Sequence, residues 1–147
     1  MLKRITSILV MSAALSVTVG SSRAAPPSSL NSVATETSLD DGQQKRISEY
    51  VTYWITKLES GTPEETKRAR NKLVEPVRSM LGNSSSIFRS TYARDLVPGL
   101  KKVIEGDDLY RSVNALQVAG FLGSDQVIRM LIDTADPDLE SSPEKRL

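Results

Sequence analysis

The chain has 147 residues, of which 39% are hydrophobic and 25% are charged, so its length and composition suit one globular domain. It contains no histidine and no cysteine, which removes the commonest general base, the commonest metal ligand, the thiol nucleophile and any disulfide. Its formal net charge of +1 provides no large basic field to attract nucleic acid or anionic lipid. We therefore expect no cofactor, no metal site and no nucleic-acid partner.

Residues 1–24 have the three-part layout of a secretory signal peptide. Lys3 and Arg4 precede an uncharged, largely apolar run over 5–19, and small residues surround Ala24. The run is about 15 residues long, shorter than the roughly 20 that a membrane-spanning helix needs. We therefore expect cleavage near Ala24, with a retained anchor as the alternative. The sequence predicts an exported protein, periplasmic or secreted, without stable membrane insertion after cleavage.

Residues 25–39 are rich in Pro, Ser and Thr and contain few large apolar side chains. Such a segment buries too little surface to offset its ordering entropy, so the sequence predicts a disordered linker. The linker is interpreted either as a spacer that holds the domain off a membrane or wall, or as a leader left by processing. A helical domain over 40–147 follows it.

The first two predicted helices have clear starts. Short polar residues over 38–41 cap the first helix, whose apolar stripe includes Tyr50 and Trp54; both are interpreted as core rather than as a ligand platform. Thr62-Pro63-Glu64-Glu65 starts the second helix, and Pro76 inside it predicts a kink. Its solvated face is predicted to carry the basic residues Lys67, Arg68, Arg70 and Lys72. An anion site is the alternative interpretation of these residues.

Three further helices are predicted, and then the start of another. The third is expected to be kinked or broken at Pro98-Gly99. The fourth, from about Asp108 to Leu122, is apolar enough for an interior position between neighbouring helices. Its main apolar face is predicted to contain Leu109, Val113, Leu116, Ala119 and Gly120, widened by Ala115, Val118 and Leu122. The fifth helix ends at Asp136-Pro137-Asp138, and residues 142–147 resemble the start of a truncated sixth.

A 43-residue offset relates two parts of the chain. It places Arg68, Asn71 and Leu73 over Arg111, Asn114 and Leu116, and the second and third helices over the fourth and fifth. The segment L-V-P-G-L-K-K-V-I-E-G-D-D, followed by R-S-V-N-A-L-Q-V-A-G-F-L-G and V-I-R-M-L-I-D-T-A-D-P-D, resembles the HEAT (armadillo-type) repeat family. The resemblance implies an all-α fold, a short right-handed α-solenoid of stacked antiparallel helix pairs. A compact helical bundle without repeats is the alternative.

The resemblance also implies a structural role for one turn. In the family, a turn acid and an arginine bond across repeats, which assigns this role to Asp107 or Asp108 with Arg111. Carboxylate pairs also occur at 40/41, 64/65 and 136/138, where acids favour helix starts and turns. They are interpreted as caps. Acid/base catalysis, or Ca²⁺ binding by the last pair, is the alternative.

One stripe of the fourth helix is a candidate functional surface. Tyr110, Asn114, Gln117 and Phe121 recur at helical spacing and predict a surface that binds another protein, since aromatic and adaptable polar groups suit such contacts. The alternative is that the aromatic residues pack against an adjacent helix pair while the amides are solvated. The sequence favours an exported, non-catalytic interaction or scaffold module. The alternative is a small cell-envelope enzyme, or enzyme accessory module, that uses paired carboxylates.

The proposed signal predicts the N-terminus of the exported protein. Because the small residues that signal peptidase requires end at Ala24, we expect the exported form to begin at Ala25. Intact-mass measurement of protein recovered from outside the cytoplasm checks this, with protein retained in the cytoplasm as the control. Mature exported material that still carried Met1 would contradict the prediction.

Overall fold

A computed structural model of the protein describes residues 25–78 and 83–136, together with 138, 143 and 145. The predicted signal peptide and most of the predicted sixth helix therefore lie outside the described residues. Every regular element in the described part is an α-helix, which confirms the all-α prediction. The helices are α1 (Asn31–Ala34), α2 (Asp41–Ser60), α3 (Pro63–Arg78), α4 (Ser86–Ile104), α5 (Leu109–Leu122) and α6 (Asp125–Ala135). The five helices predicted in the domain correspond to α2 through α6.

Capping residues fix where the helices begin. The Asp40 carboxylate accepts a hydrogen bond from the Gln43 N–H at 2.7 Å, and the Gln43 amide oxygen accepts one from the Asp40 N–H at 2.9 Å. Thr62 and Glu65 form the same reciprocal box at α3, at 3.3 and 3.0 Å. Each such cap stabilises a helix by roughly 0.5–2 kcal/mol. These local contacts therefore define where the helices start before the helices pack together.

The long helices form two antiparallel pairs. In the first pair, Lys57 near the end of α2 meets Glu65 near the start of α3, at 2.9 Å. In the second, the Ser112 hydroxyl near the start of α5 donates to the Val103 carbonyl near the end of α4, at 3.1 Å. The turns of two and four residues between these helices are short enough to reverse the chain directly.

The second pair lies parallel to the first, helix on corresponding helix. Between α2 and α4, Glu59 pairs with Lys102, 43 positions later. Between α3 and α5, the Tyr110 hydroxyl donates to the carbonyl of Pro63, 47 positions earlier. The spatial offset is therefore close to the 43-residue offset seen in the sequence. Helix α6 continues this order by packing on α5 and α4.

The structure differs from the predicted linker over residues 30–34. Leu30 and Val33 lie in the core, and the Ser85 N–H donates to the carbonyl of Ala34 at 2.9 Å. The Arg46 side chain of α2 donates further hydrogen bonds to Ser32 and to Ser28 and Ser29 just before this segment. Burying each large apolar side chain contributes about 1.5–3 kcal/mol. Together with the hydrogen bonds, this burial orders a short segment whose composition alone favours disorder.

Helix α3 continues past Pro76, and two tyrosines compensate for the proline. Pro76 has no N–H to donate to the carbonyl of Lys72, four residues earlier. The Tyr50 hydroxyl donates to that carbonyl at 2.7 Å, and the Tyr92 hydroxyl donates to the Leu73 carbonyl at 2.8 Å. Burial raises the pKa of both tyrosines well above the ordinary value, so both hydroxyls keep their protons and remain donors.

Helix α4 is continuous through Pro98-Gly99 rather than broken there. Pro98 is exposed, so water can satisfy the backbone groups that the proline leaves without a partner. Gly99 faces the neighbouring helix: a Cβ atom at this position would lie 2.8 Å from Cγ2 of Ile55. The glycine therefore permits the close approach of α2 and α4.

The two glycines inside α4 and α5 predict opposite effects of alanine. Gly99→Ala should destabilise the protein by about 1–3 kcal/mol, because the added methyl group overlaps Ile55. Gly120→Ala should stabilise it by up to about 1 kcal/mol, since a Cβ atom there meets nothing within 4 Å and alanine favours helix. Urea unfolding of both variants measures the difference. Equal changes in the free energy of unfolding would contradict the packing described.

The tyrosine contacts predict a loss of stability at alkaline pH. Tyr50→Phe and Tyr92→Phe should each cost about 1–3 kcal/mol, because a carbonyl in or near the core loses its donor. A raised folded-state pKa means that the contribution is complete below the ordinary pKa of about 10 and is lost as the pH rises above it.

Denaturant unfolding of the wild type, Tyr50→Phe and Tyr92→Phe between neutral and strongly alkaline pH tests this point. The wild type should lose stability more steeply above the ordinary tyrosine pKa than either variant does. Parallel curves for all three proteins would show that these hydroxyls do not titrate with unfolding.

Candidate partner-binding groove between α3 and α5

Helix α5 buries a face that is rotated from the predicted one. The residues buried most completely are Ser112, Ala115, Val118 and Ala119. Leu109 and Gly120, both predicted to face the core, are exposed. The rotation of the buried face comes from hydrogen bonding by Ser112. Its hydroxyl lies within hydrogen-bond distance of the carbonyls of Val103 and Ile104, both at 3.1 Å. A serine therefore occupies a core position, because the end of α4 supplies its acceptors.

The predicted row on α5 separates into exposed and buried members. Tyr110 is 48% exposed and Phe121 is 50% exposed, and Gln117 is exposed between them. Asn114 is only 4% exposed, and its amide nitrogen donates to the backbone carbonyl of Tyr110 at 2.7 Å. Three of the four candidate residues thus lie on the surface, while Asn114 is buried and has a structural role.

Arg70 of α3 joins this row from the opposite helix. Its guanidinium donates to the amide oxygen of Gln117 at 2.8 Å and to that of Asn114 at 3.2 Å. It also donates twice to Asn71, at 3.1 and 3.3 Å. These contacts use four of the five guanidinium N–H donors. Because the three amide oxygens are neutral, they orient the guanidinium without cancelling its charge.

A groove with a volume of about 740 Å³ runs along this contact. The residues that line it are Arg70, Asn71, Val74, Glu75, Arg78, Gln117 and Phe121. Its volume is within the roughly 300–1,000 Å³ of ligand sites in proteins. Phe121 supplies most of the apolar surface, because Val74 is only 8% exposed. Arg70 and Arg78 supply positive charge, and Glu75 pairs with Lys72 at 2.6 Å. The groove therefore combines an apolar patch with a cationic one.

The basic residues of α3 are exposed or partly exposed, but they have different neighbours. Arg68 lies over the ring of Trp54, 5.9 Å from its centroid, whereas Lys72 pairs with Glu75. Arg70 enters the groove, and Lys67 remains exposed. Sequence spacing placed these cations on one helix but could not show which neighbour each one meets.

The turn before α5 connects to the turn before α3. Arg111 pairs with Asp108 of its own first turn at 3.3 Å and donates to the carbonyl of Gly61 at 3.2 Å. The contact between helix pairs thus goes from an arginine to a backbone carbonyl, and Asp107 is exposed. The turn after α4 accepts a similar contact: the Lys145 side chain donates to the carbonyl of Gly106 at 2.8 Å.

The acids proposed as caps hold backbone N–H groups. Asp40, Glu65 and Asp108 each bond an N–H at the start of a helix, and Asp136 accepts one from the N–H of Asp138 at 2.9 Å. Within the described residues, no group of three or more acidic side chains is placed to hold a metal ion. The geometry of these acids is that of helix and turn caps.

A smaller cavity of about 240 Å³ lies beside the aromatic residues of α2. Its walls are Ala25, Pro26, Tyr53, Trp54, Lys57, Glu65 and Arg68. Trp54 and Tyr50 are buried, which confirms that they belong to the core. The charges of Lys57 and Glu65 offset each other at 2.9 Å, so this cavity provides less free charge than the α3–α5 groove.

The described residues define the class: an all-helical protein of two antiparallel helix pairs, with one groove between corresponding helices of the pairs. None of its helices is both long enough and apolar enough to cross a bilayer, as far as the described part of the chain extends. Comparisons with protein-family models, with curated proteins and with solved structures found no match.

Proposed function

We propose that the protein is an exported, HEAT-like helical module, a short right-handed α-solenoid that binds another protein through the α3–α5 groove. The stacking of corresponding helices supports the repeat interpretation. Contacts between α2 and α4, and between α3 and α5, join residues that are 43 to 47 positions apart. This spacing agrees with the sequence offset and with repeats of about 40 residues.

The observation that carries the binding role is the exposed Phe121 beside an oriented arginine. A half-exposed phenylalanine on a groove wall loses apolar contact with water when a partner covers it. Aromatic and arginine side chains are enriched at protein interfaces and contribute most of their binding energy. Gln117 adds an adaptable polar group to the same wall. We therefore assign contact with the partner to Phe121 and Gln117. Asn114 is assigned the role of holding Arg70 in place.

Affinity capture from the exported compartment tests this assignment. Phe121→Ala should reduce the amount of a specifically captured protein by about tenfold, as expected for loss of an interface anchor. Ile87→Ala is the matched control, since it also shortens a partly exposed apolar side chain but lies outside the groove lining. Capture that is equally strong with both variants would refute the role of the groove.

A further inference from the structure

The positive charge in the groove has a fixed component. Arg70 is held in one orientation by amide oxygens from both walls, and one of its N–H donors remains for a ligand. Fixing a guanidinium in advance reduces the entropy that a partner must offset when it binds. Arg70 therefore provides a prepared site for one anionic oxygen.

A second guanidinium lies further along the same stripe of α3. Arg78 lines the groove eight residues after Arg70, and a helix rises 1.5 Å per residue, so the two positions are about 12 Å apart along the axis. Arg78 is exposed, which leaves its planar fork able to bind a carboxylate through two hydrogen bonds.

The apolar part of the groove includes Val74, which lies midway between these arginines. Val74 is four residues from each of them but is only 8% exposed, so Phe121, which lines the groove from α5, supplies most of the apolar surface. Glu75 lies beside Val74 in the same lining, and its carboxylate is paired with Lys72 at 2.6 Å. With that acid paired, the order along the groove is cationic, apolar and cationic. A ligand that complements this order has an apolar group with an anionic group on each side.

We propose that the groove binds an extended acidic segment of a partner protein, with two carboxylates four positions apart and an apolar side chain midway between them. An extended chain rises about 3.3 Å per residue, so four positions span about 13 Å and match the spacing of the arginines. Because side chains alternate between the two faces of an extended chain, positions i, i+2 and i+4 all face the groove. The inference rests on the proposed protein-binding function and specifies the partner's chemistry.

Fluorescence anisotropy with short labelled peptides tests the proposal on the purified protein. The probe carries two glutamates four positions apart, a phenylalanine midway between them and serine elsewhere. Three comparison peptides replace both glutamates by glutamine, replace the phenylalanine by alanine, or move the second glutamate by one position. Each change should weaken binding about fivefold or more, since it removes a charge pair, removes the apolar contact or turns one carboxylate away.

Protein variants locate the site. Arg78→Gln and Arg70→Gln should each weaken binding of the glutamate probe about fivefold or more, whereas the glutamine peptide should not distinguish them from the wild type. Arg129→Gln is the matched control, because Arg129 is an exposed arginine of α6 outside the groove lining. Circular dichroism monitors folding. Should Arg70→Gln unfold, the exposed Arg78 still provides the test.

Four results would overturn the inference. The first is equal binding of the glutamate and glutamine peptides, and the second is an equal effect of Arg78→Gln and Arg129→Gln. The third is no binding up to about 1 mM, the weak limit for a specific segment. Anionic vesicles or oligonucleotides that bind through Arg78 while the peptide does not would also overturn it in favour of another anion. Capture of a partner protein that requires Phe121, together with failure of the acidic peptides to bind, would support the proposed function but contradict this inference.

Discussion

The packing of the helices depends on how the fold satisfies the backbone around Pro76. A proline in a buried helix leaves a carbonyl that must find another donor, because an unpaired polar group in the core is costly. Tyr50 from α2 and Tyr92 from α4 reach the same turn of α3 and bond adjacent carbonyls. One local defect thus fixes the position of α3 against two helices, and the groove wall that carries Arg70 is positioned with it.

Local signals were sufficient to predict α2 through α6, but not the short helix α1 or the buried face of α5. Capping boxes at Asp40 and Thr62 act within four residues, so the sequence reveals them directly. The burial of Ser112 depends on carbonyls at the end of α4, and the need for Gly99 depends on Ile55 in α2. Leu30 enters the core for the same reason. These facts arise from contacts between distant parts of the chain, which spacing along one helix cannot show.

The candidate site illustrates the same division. Helical periodicity placed Tyr110, Gln117 and Phe121 on one side of α5, and all three are exposed. It could not show that Asn114 is buried, because the acceptor role of its amide depends on Arg70, 44 positions earlier. The 43-residue offset in the sequence was the signal that could have indicated this role of Asn114. It aligns Asn114 with Asn71, which also binds Arg70. These two asparagines, at equivalent positions of α3 and α5, both accept hydrogen bonds from Arg70.

The contacts between the helix pairs occur both at the turns and along the helices. At the turns, carbonyls of Gly61 and Gly106 accept hydrogen bonds from Arg111 and Lys145, and these contacts require only a cation and a backbone oxygen. Along the helices, side chains form the groove. Because a backbone carbonyl is present whatever residue occupies a turn, stacking can persist while the groove lining changes. In the proposed function, the side chains that select a partner are those of the groove, such as Arg78 and Phe121, and replacing them leaves the contacts at the turns intact.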